Sequence, residues 1–411
     1  MKVLGIVAEY NPFHKGHLYH IKKARELTGA DYVVAIMSGD FMQRGIPAMT
    51  DKYSRTKMAL QNGVDLVLEL PVYYSTSSAE FFAGASVALL DKLSVVTDLC
   101  YGSECGDQGV LAEIASVLVQ DPDAYREALQ HHLKSGKSFP FARSLALSAY
   151  LKDSPSYMDI LSSPNNILGI EYEKALIQRK SSINSSTIKR QGADYHDTRF
   201  SETYSSALSI RNALNENCDL SSIKSQVPSS VFRILQSNYN QNFPIFREDF
   251  SLLLHYMLLL KESKGFSDYL DVSNDLSDKI VRSIPKYQSY EQFCDLLKSK
   301  ELTYARISRA LLHIMLDIKE SDFYASYEND YFNYATILGF KEESAPLLSA
   351  IKKNSSINLI SKNADAKKIL SPNDFRLFQA NIRSTHIYQS VLSNKFQTES
   401  KNSYQISPCI M

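Results

Sequence analysis

Cysteine is scarce in this chain, with five among 411 residues, an odd number without regular spacing. That argues against a disulfide framework and fits a reducing compartment. Cys100 and Cys105 have no second Cys or His pair nearby, so no zinc site is expected. Net charge is also missing, with 45 basic residues against 45 acidic ones. A polyanionic partner would have to meet a local basic patch, not a global field. Long apolar runs are absent as well. The most apolar helical stretch, around Phe250 to Leu260, is short and broken by His255 and Tyr256, which reads as a core helix and not a membrane span. The first residues enter a strand pattern with no basic region leading into an apolar segment, so no signal peptide is expected and the expected location is the cytoplasm. No internal repeat or low-complexity tract is evident. What is present, 44% hydrophobic and 22% charged residues, describes an ordinary soluble globular protein. Its length favours two domains.

Hydrophobic periodicity alternates between strand and helix in the first half. Val3 to Glu9 reads as a strand, Leu18, Ile21, Ala24 and Leu27 share a helical face, and Tyr32 to Met37 reads as a second strand. A helix from about Asp51 to Gln61 follows, then a strand from Val64 to Leu70 stopped by Pro71, a helix from Ala79 to Leu90, and a strand from Thr97 to Tyr101. Two or three helices span Gln108 to Leu151. The pattern then returns to helix (Ile167 to Gln178), strand (Ser186 to Arg190) and helix (Ser206 to Leu214). Such alternation implies a Rossmann-like α/β domain with a parallel sheet covered by helices on both faces, assigned to residues 1–215. A Ser- and Asn-rich connection from Asn217 to Ser230 leads into mainly helical signals, assigned to a mostly α-helical domain over residues 216–411.

The chemistry concentrates where the first strand ends. His14-Lys15-Gly16-His17 lies between that strand and a helix, so both imidazoles sit at a helix N-terminus at the carboxyl end of a strand. Anionic ligands collect there in open α/β sheets. Gly16 lets the backbone approach a phosphate, both rings can donate to phosphate oxygens, and the helix end adds amide donors and partial positive charge. His20, one turn on, reads more readily as a packed or solvated side chain. Ser38 to Pro47 is a loop at the same sheet edge carrying Asp40, Gln43 and Arg44. Lys52 and Arg55 follow on a helix, where an anion contact and a solvated face are equally plausible. Tyr101-Gly102-Ser103-Glu104 closes the fourth strand, and Gly102 lets a base or ribose lie against the backbone. Asn165, after Pro164, opens a helix as either an ordinary N-cap or an adenine contact. Lys189 and Arg190 could reach phosphate, as could the segment from Ser205 to Arg211. Lys298, Lys300, Arg306, Arg309 and His313 form a basic cluster, with Arg306 and Arg309 on one helical face, the best candidate for touching nucleic-acid phosphates.

These pieces together resemble the bacterial tRNA(Met) cytidine acetate ligase family, within the His-x-Gly-His nucleotidyltransferase-like superfamily. The resemblance rests on the run from Gly5 to His17, on Gln43-Arg44-Gly45, on Asp51-Lys52 with Arg55 to Ala59, on Pro164 to Tyr172, on Thr303, Tyr304, Arg306 and Arg309, on Leu338 to Phe340, and on Lys352-Lys353. It implies an enzyme that activates acetate with ATP, accompanied by Mg2+, and acetylates the wobble cytidine of elongator tRNA(Met) to N4-acetylcytidine, releasing AMP and diphosphate. No coenzyme A is implied. The family's ATP-binding residues would fall on Val7, Ala8, Glu9, Tyr10, Asn11, Pro12, Phe13, His14, Lys15, Gly16, His17, Leu18, Tyr19 and His20, and on Gly102, Asn165 and Arg190. His14 and His17 would be catalytic, and the second domain, through Arg306 and Arg309, would contact tRNA. Two positions depart from the expected pattern: Leu208 stands where a small hydroxyl residue is usual, and Asp40 where Asn is expected. A small-molecule nucleotidyltransferase and a non-catalytic nucleotide- or RNA-binding protein remain as alternatives.

Overall fold

The computed structural model of the chain describes residues 1–137, 139–151, 157–191, 204–217, 219–299 and 302–411. The first strand, β1 (Val3–Ala8), leads into α1 (Lys15–Thr28), β2 (Tyr32–Ser38), α2 (Lys52–Gln61) and β3 (Leu66–Leu70). After Pro71 come a short α3 (Val72–Ser75), α4 (Ala79–Lys92) and β4 (Asp98–Ser103). Four helices follow, α5 (Gln108–Gln120), α6 (Asp123–Lys134), α7 (Phe139–Leu151) and α8 (Tyr157–Ser162), before α9 (Pro164–Arg179), β5 (Asn184–Lys189) and α10 (Ala207–Asn217). Beyond residue 219 the chain is mainly helical: α11 (Ser229–Asn238), α12 (Ser251–Lys261), α13 (Asn274–Ser283), α14 (Tyr290–Leu297), α15 (Tyr304–Leu316) and α16 (Glu320–Glu328). It ends with β6 (Tyr334–Phe340), α17 (Ala345–Asn354), β7 (Asn358–Ile360), α18 (Ala366–Ile369), the long α19 (Pro372–Phe396) and β8 (Cys409–Ile410).

The strands form one sheet in the order β5-β4-β1-β2-β3-β6-β7, with β8 also paired to β6. Neighbours are parallel except β3 and β6, which run antiparallel. The sheet is therefore mostly, not wholly, parallel, and it crosses the expected boundary at 215/216, because β6 to β8 extend it from the second part. Both faces are covered, so β2 alternates cleanly between two cores. Val34 and Ile36 join Leu89 and Leu90 of α4, Ile170 of α9, Leu311 of α15 and Phe378 of α19. Val33, Ala35 and Met37 join Ile21 of α1, Met58 of α2, Leu214 of α10 and Leu235 of α11. In α12, Leu254 and Leu258 are buried while Leu252, Tyr256, Leu259 and Leu260 are exposed, so the expected core helix is core on one side only. No helix of the described residues is long and apolar enough to cross a membrane.

Of the two readings open for Lys52 and Arg55, the solvated face is excluded: Lys52 meets a carboxylate and Arg55 meets backbone carbonyls. Both are buried. Arg55 donates to the carbonyls of Glu9 at 2.8 Å, Ser38 at 2.9 Å, Thr50 at 3.1 Å and Gly39, tying together the ends of β1 and β2. The Lys52 ammonium donates to Glu69 at 2.8 Å and to the Thr385 hydroxyl of α19 at 3.0 Å, and lies 4.0 Å from Asp40. Asp40 accepts from the Thr385 hydroxyl at 2.8 Å and the Lys52 amide at 3.2 Å. Burial works against the ammonium, but the Glu69 carboxylate and its neighbours outweigh it and hold the pKa above the ordinary lysine value. Asp40 thus has a structural post, anchoring the loop after β2 to a helix more than three hundred residues away in sequence. Replacing Lys52 with Met leaves two buried carboxylates without their counter-charge. A loss of about 3–5 kcal/mol in urea denaturation is expected, and a loss below about 1 kcal/mol would contradict this account of the cluster.

Candidate functional site

The turn from β1 into α1 builds the site from backbone upward. His14 is the N-cap, with extended backbone at φ −133° and ψ 174°. Its Nδ1 accepts the Gly16 amide at 3.0 Å, and its own amide donates to Nδ1 of His17 at 3.2 Å. The two imidazoles thus satisfy each other's end of the helix reciprocally, as a capping box does with other side chains. The rings stack with centroids 3.7 Å apart. A ring whose Nδ1 accepts is neutral with its proton on Nε2, so each presents an N–H donor on its far edge. Gly16 is required by this packing: a Cβ there would stand 2.9 Å from Cε1 of the His14 ring.

Both rings line a cavity of about 280 Å3 at the carboxyl ends of the central strands. One flank is formed by β4, β5 and α9 through Gly102, Ile188, Lys189, Arg190, Asn165 and Leu168. The other is formed by the loop after β2 and by α4, through Gln43, Arg44, Ile46, Ala79 and Phe82. The start of α10 closes the cavity with Ser205, Ser206, Leu208 and Arg211. Of the expected nucleotide residues, Val7, Ala8, Glu9, Tyr10, Asn11, His14, Gly16, His17, Tyr19, His20, Gly102, Asn165 and Arg190 are on the wall. Pro12, Phe13, Lys15 and Leu18 are not. Phe13 is wholly buried beneath the turn, and Lys15 points into solvent. Arg44, Lys189, Arg190 and Arg211 surround a single carboxylate, Glu9, among the described lining residues. Among the described lining residues basic side chains therefore outnumber acidic ones, which favours an anionic ligand.

Three imidazoles are pushed away from protonation there. Burial, then Arg190 and Arg211, lowers His14 to about 3. Burial, His14, Arg190 and His20 lower His17 well below its ordinary value. Burial lowers His20 to about 4, opposed by its hydrogen bond to the Tyr101 backbone. His20 is packed and not solvated: its Nε2 is buried without a hydrogen-bond partner among the described residues, and its ring lies beside Gly102. Unfolded, these rings titrate near pH 6.5. The unfolded chain then takes up protons that the folded chain refuses, so this stabilisation is present above pH 6.5 and is lost as pH falls towards the folded values.

Other expected residues behave differently. The Asn165 side chain donates to Glu104 at 2.6 Å, and Glu104 also accepts the Asn166 amide at 2.8 Å, so a carboxylate already occupies the N-terminus of α9. The shared basic face on α15 is split. Arg306 is exposed, but Arg309 pairs with Asp271 at 2.9 Å and His313 is fully buried. Lys300 lies outside the described residues. Helix α15 reaches the cavity indirectly, since the Ser308 hydroxyl donates to the Gly45 carbonyl at 2.8 Å. Gly45 has φ 69°, and a Cβ there would stand 2.4 Å from the Arg309 amide nitrogen. That contact fixes the loop carrying Gln43 and Arg44.

The family model for HIGH nucleotidyl transferases matches residues 1–403. The chain is 42% identical over 395 residues to the tRNA(Met) cytidine acetate ligase of a Thermoanaerobacter species, covering 96% of each chain. It is 39% identical over 417 residues to that of Clostridium perfringens, covering 100% of each. The crystal structure of Thermotoga maritima TmcAL bound with alpha-thio ATP superposes with a TM-score of 0.91 at 33% identity, covering 100% of this chain and 99% of that one. This chain belongs to the tRNA(Met) cytidine acetate ligase family.

Sequence reasoning gave the start of α10 reduced weight because of Leu208, yet Ser205, Ser206 and Arg211 are on the wall of this tRNA(Met) cytidine acetate ligase family member. Arg211 is aimed by its 2.8 Å bond to the Asn11 carbonyl. The paired cation and hydroxyls at that helix start were the available signal. Gly16→Ala provides a test of the ring placement. Alanine is favoured in a helix, so the melting temperature should move by no more than about 2 °C, while ATP affinity falls at least about tenfold because His14 is displaced. Unchanged affinity by calorimetry would contradict the ring placement.

Proposed function

We propose that this protein condenses acetate with ATP to form acetyl-adenylate and diphosphate, then transfers the acetyl group to the wobble cytidine of elongator tRNA(Met). The observation that carries this reading is the pair of neutral, reciprocally capped imidazoles facing a cation-lined cavity. It is supported by full-length kinship to proteins named tRNA(Met) cytidine acetate ligase. Adenylation needs no protein nucleophile: an acetate oxygen attacks the α-phosphorus in line and diphosphate leaves. The protein must align the reactants and stabilise negative charge in the transition state. His14 and His17 do so as Nε2–H donors, while Arg190, assisted by Lys189 and Arg211, steadies the departing phosphates. Gly102 and Asn165 lie on the flank that takes the nucleoside. A magnesium ion accompanying ATP would neutralise phosphate charge, with Glu9 as the carboxylate the described wall could offer it. The acetyl-adenylate is a mixed anhydride, reactive enough for the exocyclic amine of cytidine.

Residues 216–411 are assigned to tRNA contact, with Arg306 as the exposed cation of α15. Arg309, one turn further on, is paired with Asp271. The absence of any membrane-spanning helix among the described residues is compatible with a cytoplasmic enzyme.

Incubation with ATP, labelled acetate and bulk tRNA tests the reading. Label in tRNA is expected, and label confined to a small adduct would favour a small-molecule nucleotidyltransferase. In the same assay His17→Ala should lower acetate-dependent ATP–diphosphate exchange by about 100- to 1000-fold, and unchanged exchange would reject its assigned role.

A further inference from the structure

The second half-reaction raises a problem that the imidazoles do not solve. The exocyclic nitrogen of cytidine is a weak nucleophile because its lone pair is delocalised into the ring. As it forms the C–N bond to the acetyl carbon, the C–O bond to AMP breaks and one N–H proton must leave. A base on the cavity wall that accepts that proton would speed the step over transfer to water. His14 and His17 cannot, since each Nδ1 already accepts a backbone amide and each Nε2 carries the hydrogen. His20 sits on the β4 flank, its ring bonded to the Tyr101 backbone and beside Gly102, with its Nε2 buried and so not presented to an incoming amine. The Tyr10 and Tyr172 phenols stay protonated, burial holding both well above the ordinary value. The remaining titratable groups on the described wall apart from Glu9 are cations or the Tyr19, Tyr101 and Tyr204 phenols.

We infer that Glu9 is the general base that takes the amine proton during acetyl transfer, an inference that rests on the acetate-ligase reading above. Glu9 is the first residue after β1, five positions before His14, so the sheet delivers it beside the donors that hold the α-phosphate. Its carbonyl is fixed by Arg55 at 2.8 Å, and one carboxylate oxygen accepts the Gln43 amide at 2.7 Å. The other oxygen has no hydrogen-bond partner among the described residues. Tyr172 is close enough that the Glu9 charge helps raise its pKa. Gln43, Ile46 and Phe82 line this flank, opposite the nucleoside side. A small apolar wall beside one carboxylate suits an acetyl methyl and an incoming amine. In the step itself, the nitrogen lone pair becomes the new C–N bond, the anhydride C–O pair leaves on AMP, and the proton passes to the Glu9 carboxylate and then to water.

The test bypasses activation by supplying synthetic acetyl-adenylate and tRNA to the full-length enzyme and following single-turnover transfer across pH. Glu9→Gln preserves an acceptor for the Gln43 amide but cannot take a proton. Its transfer rate should fall at least about 100-fold, and the acid limb of the wild-type profile, where the rate drops as a carboxylate becomes protonated, should disappear. Glu9→Asp, which retains the carboxylate one methylene further back, should fall between the two and retain that limb. A Glu9→Gln rate within about threefold of wild type, or an acid limb that survives the substitution, would overturn the inference while leaving the acetate-ligase reading intact. Failure of the wild-type enzyme to transfer from acetyl-adenylate would overturn both.

Discussion

The site depends on a reciprocal pair of hydrogen bonds at the start of α1. A helix N-terminus has amide donors without intrahelical acceptors, and most proteins satisfy them with hydroxyls or carboxylates. Here two imidazoles do it, with Nδ1 of His14 on the Gly16 amide and Nδ1 of His17 on the His14 amide. The same bonds that end the helix decide which nitrogen carries the proton. Capping and tautomer are thus one interaction: removing the cap frees the tautomer, and protonating either Nδ1 breaks the cap. Burial and the nearby guanidiniums reinforce the neutral state, so the rings act as hydrogen-bond donors at physiological pH without being charged.

That local device is useful only because distant parts of the chain hold the walls around it. Arg55 ties the ends of β1 and β2 together. Lys52 and Asp40 share Thr385 of α19, Lys52 also donates to Glu69, and Ser308 of α15 holds the loop bearing Arg44 through Gly45. The second part of the chain therefore serves the cavity by positioning its loops, and its strands β6 to β8 continue the same sheet. Placing ion pairs in a core is costly unless their geometry is good. In this case they join the loop after β2 to α2, β3 and α19 through hydrogen-bonded partners.

Much of this was legible in the sequence where a short-range pattern carried it. The apolar run before His14, the Gly16 between the imidazoles and the strand–helix alternation pointed to the end of β1, where the cavity lies. What was not legible depended on long-range partners. Tyr334 to Phe340 is a seven-residue apolar run among helices, and such runs are ambiguous between strand and buried helix. Only its pairing with β3 decides the matter. The partner of Lys52 was left open and Arg309 read as a free cation because Glu69, Thr385 and Asp271 are remote or unremarkable in sequence. Leu208 drew attention from Arg211, whose aim comes from the Asn11 carbonyl nearly two hundred residues earlier in the chain.

The central claim concerns where the protons sit on His14 and His17, and nitrogen-15 NMR of the labelled imidazoles reads that directly. Through a titration at and below neutral pH, both rings should remain neutral with hydrogen on Nε2 and with Nδ1 as acceptor. Their Nε2 resonances should shift when ATP is added. An imidazolium signal at neutral pH, or hydrogen on Nδ1 in either ring, would contradict the account.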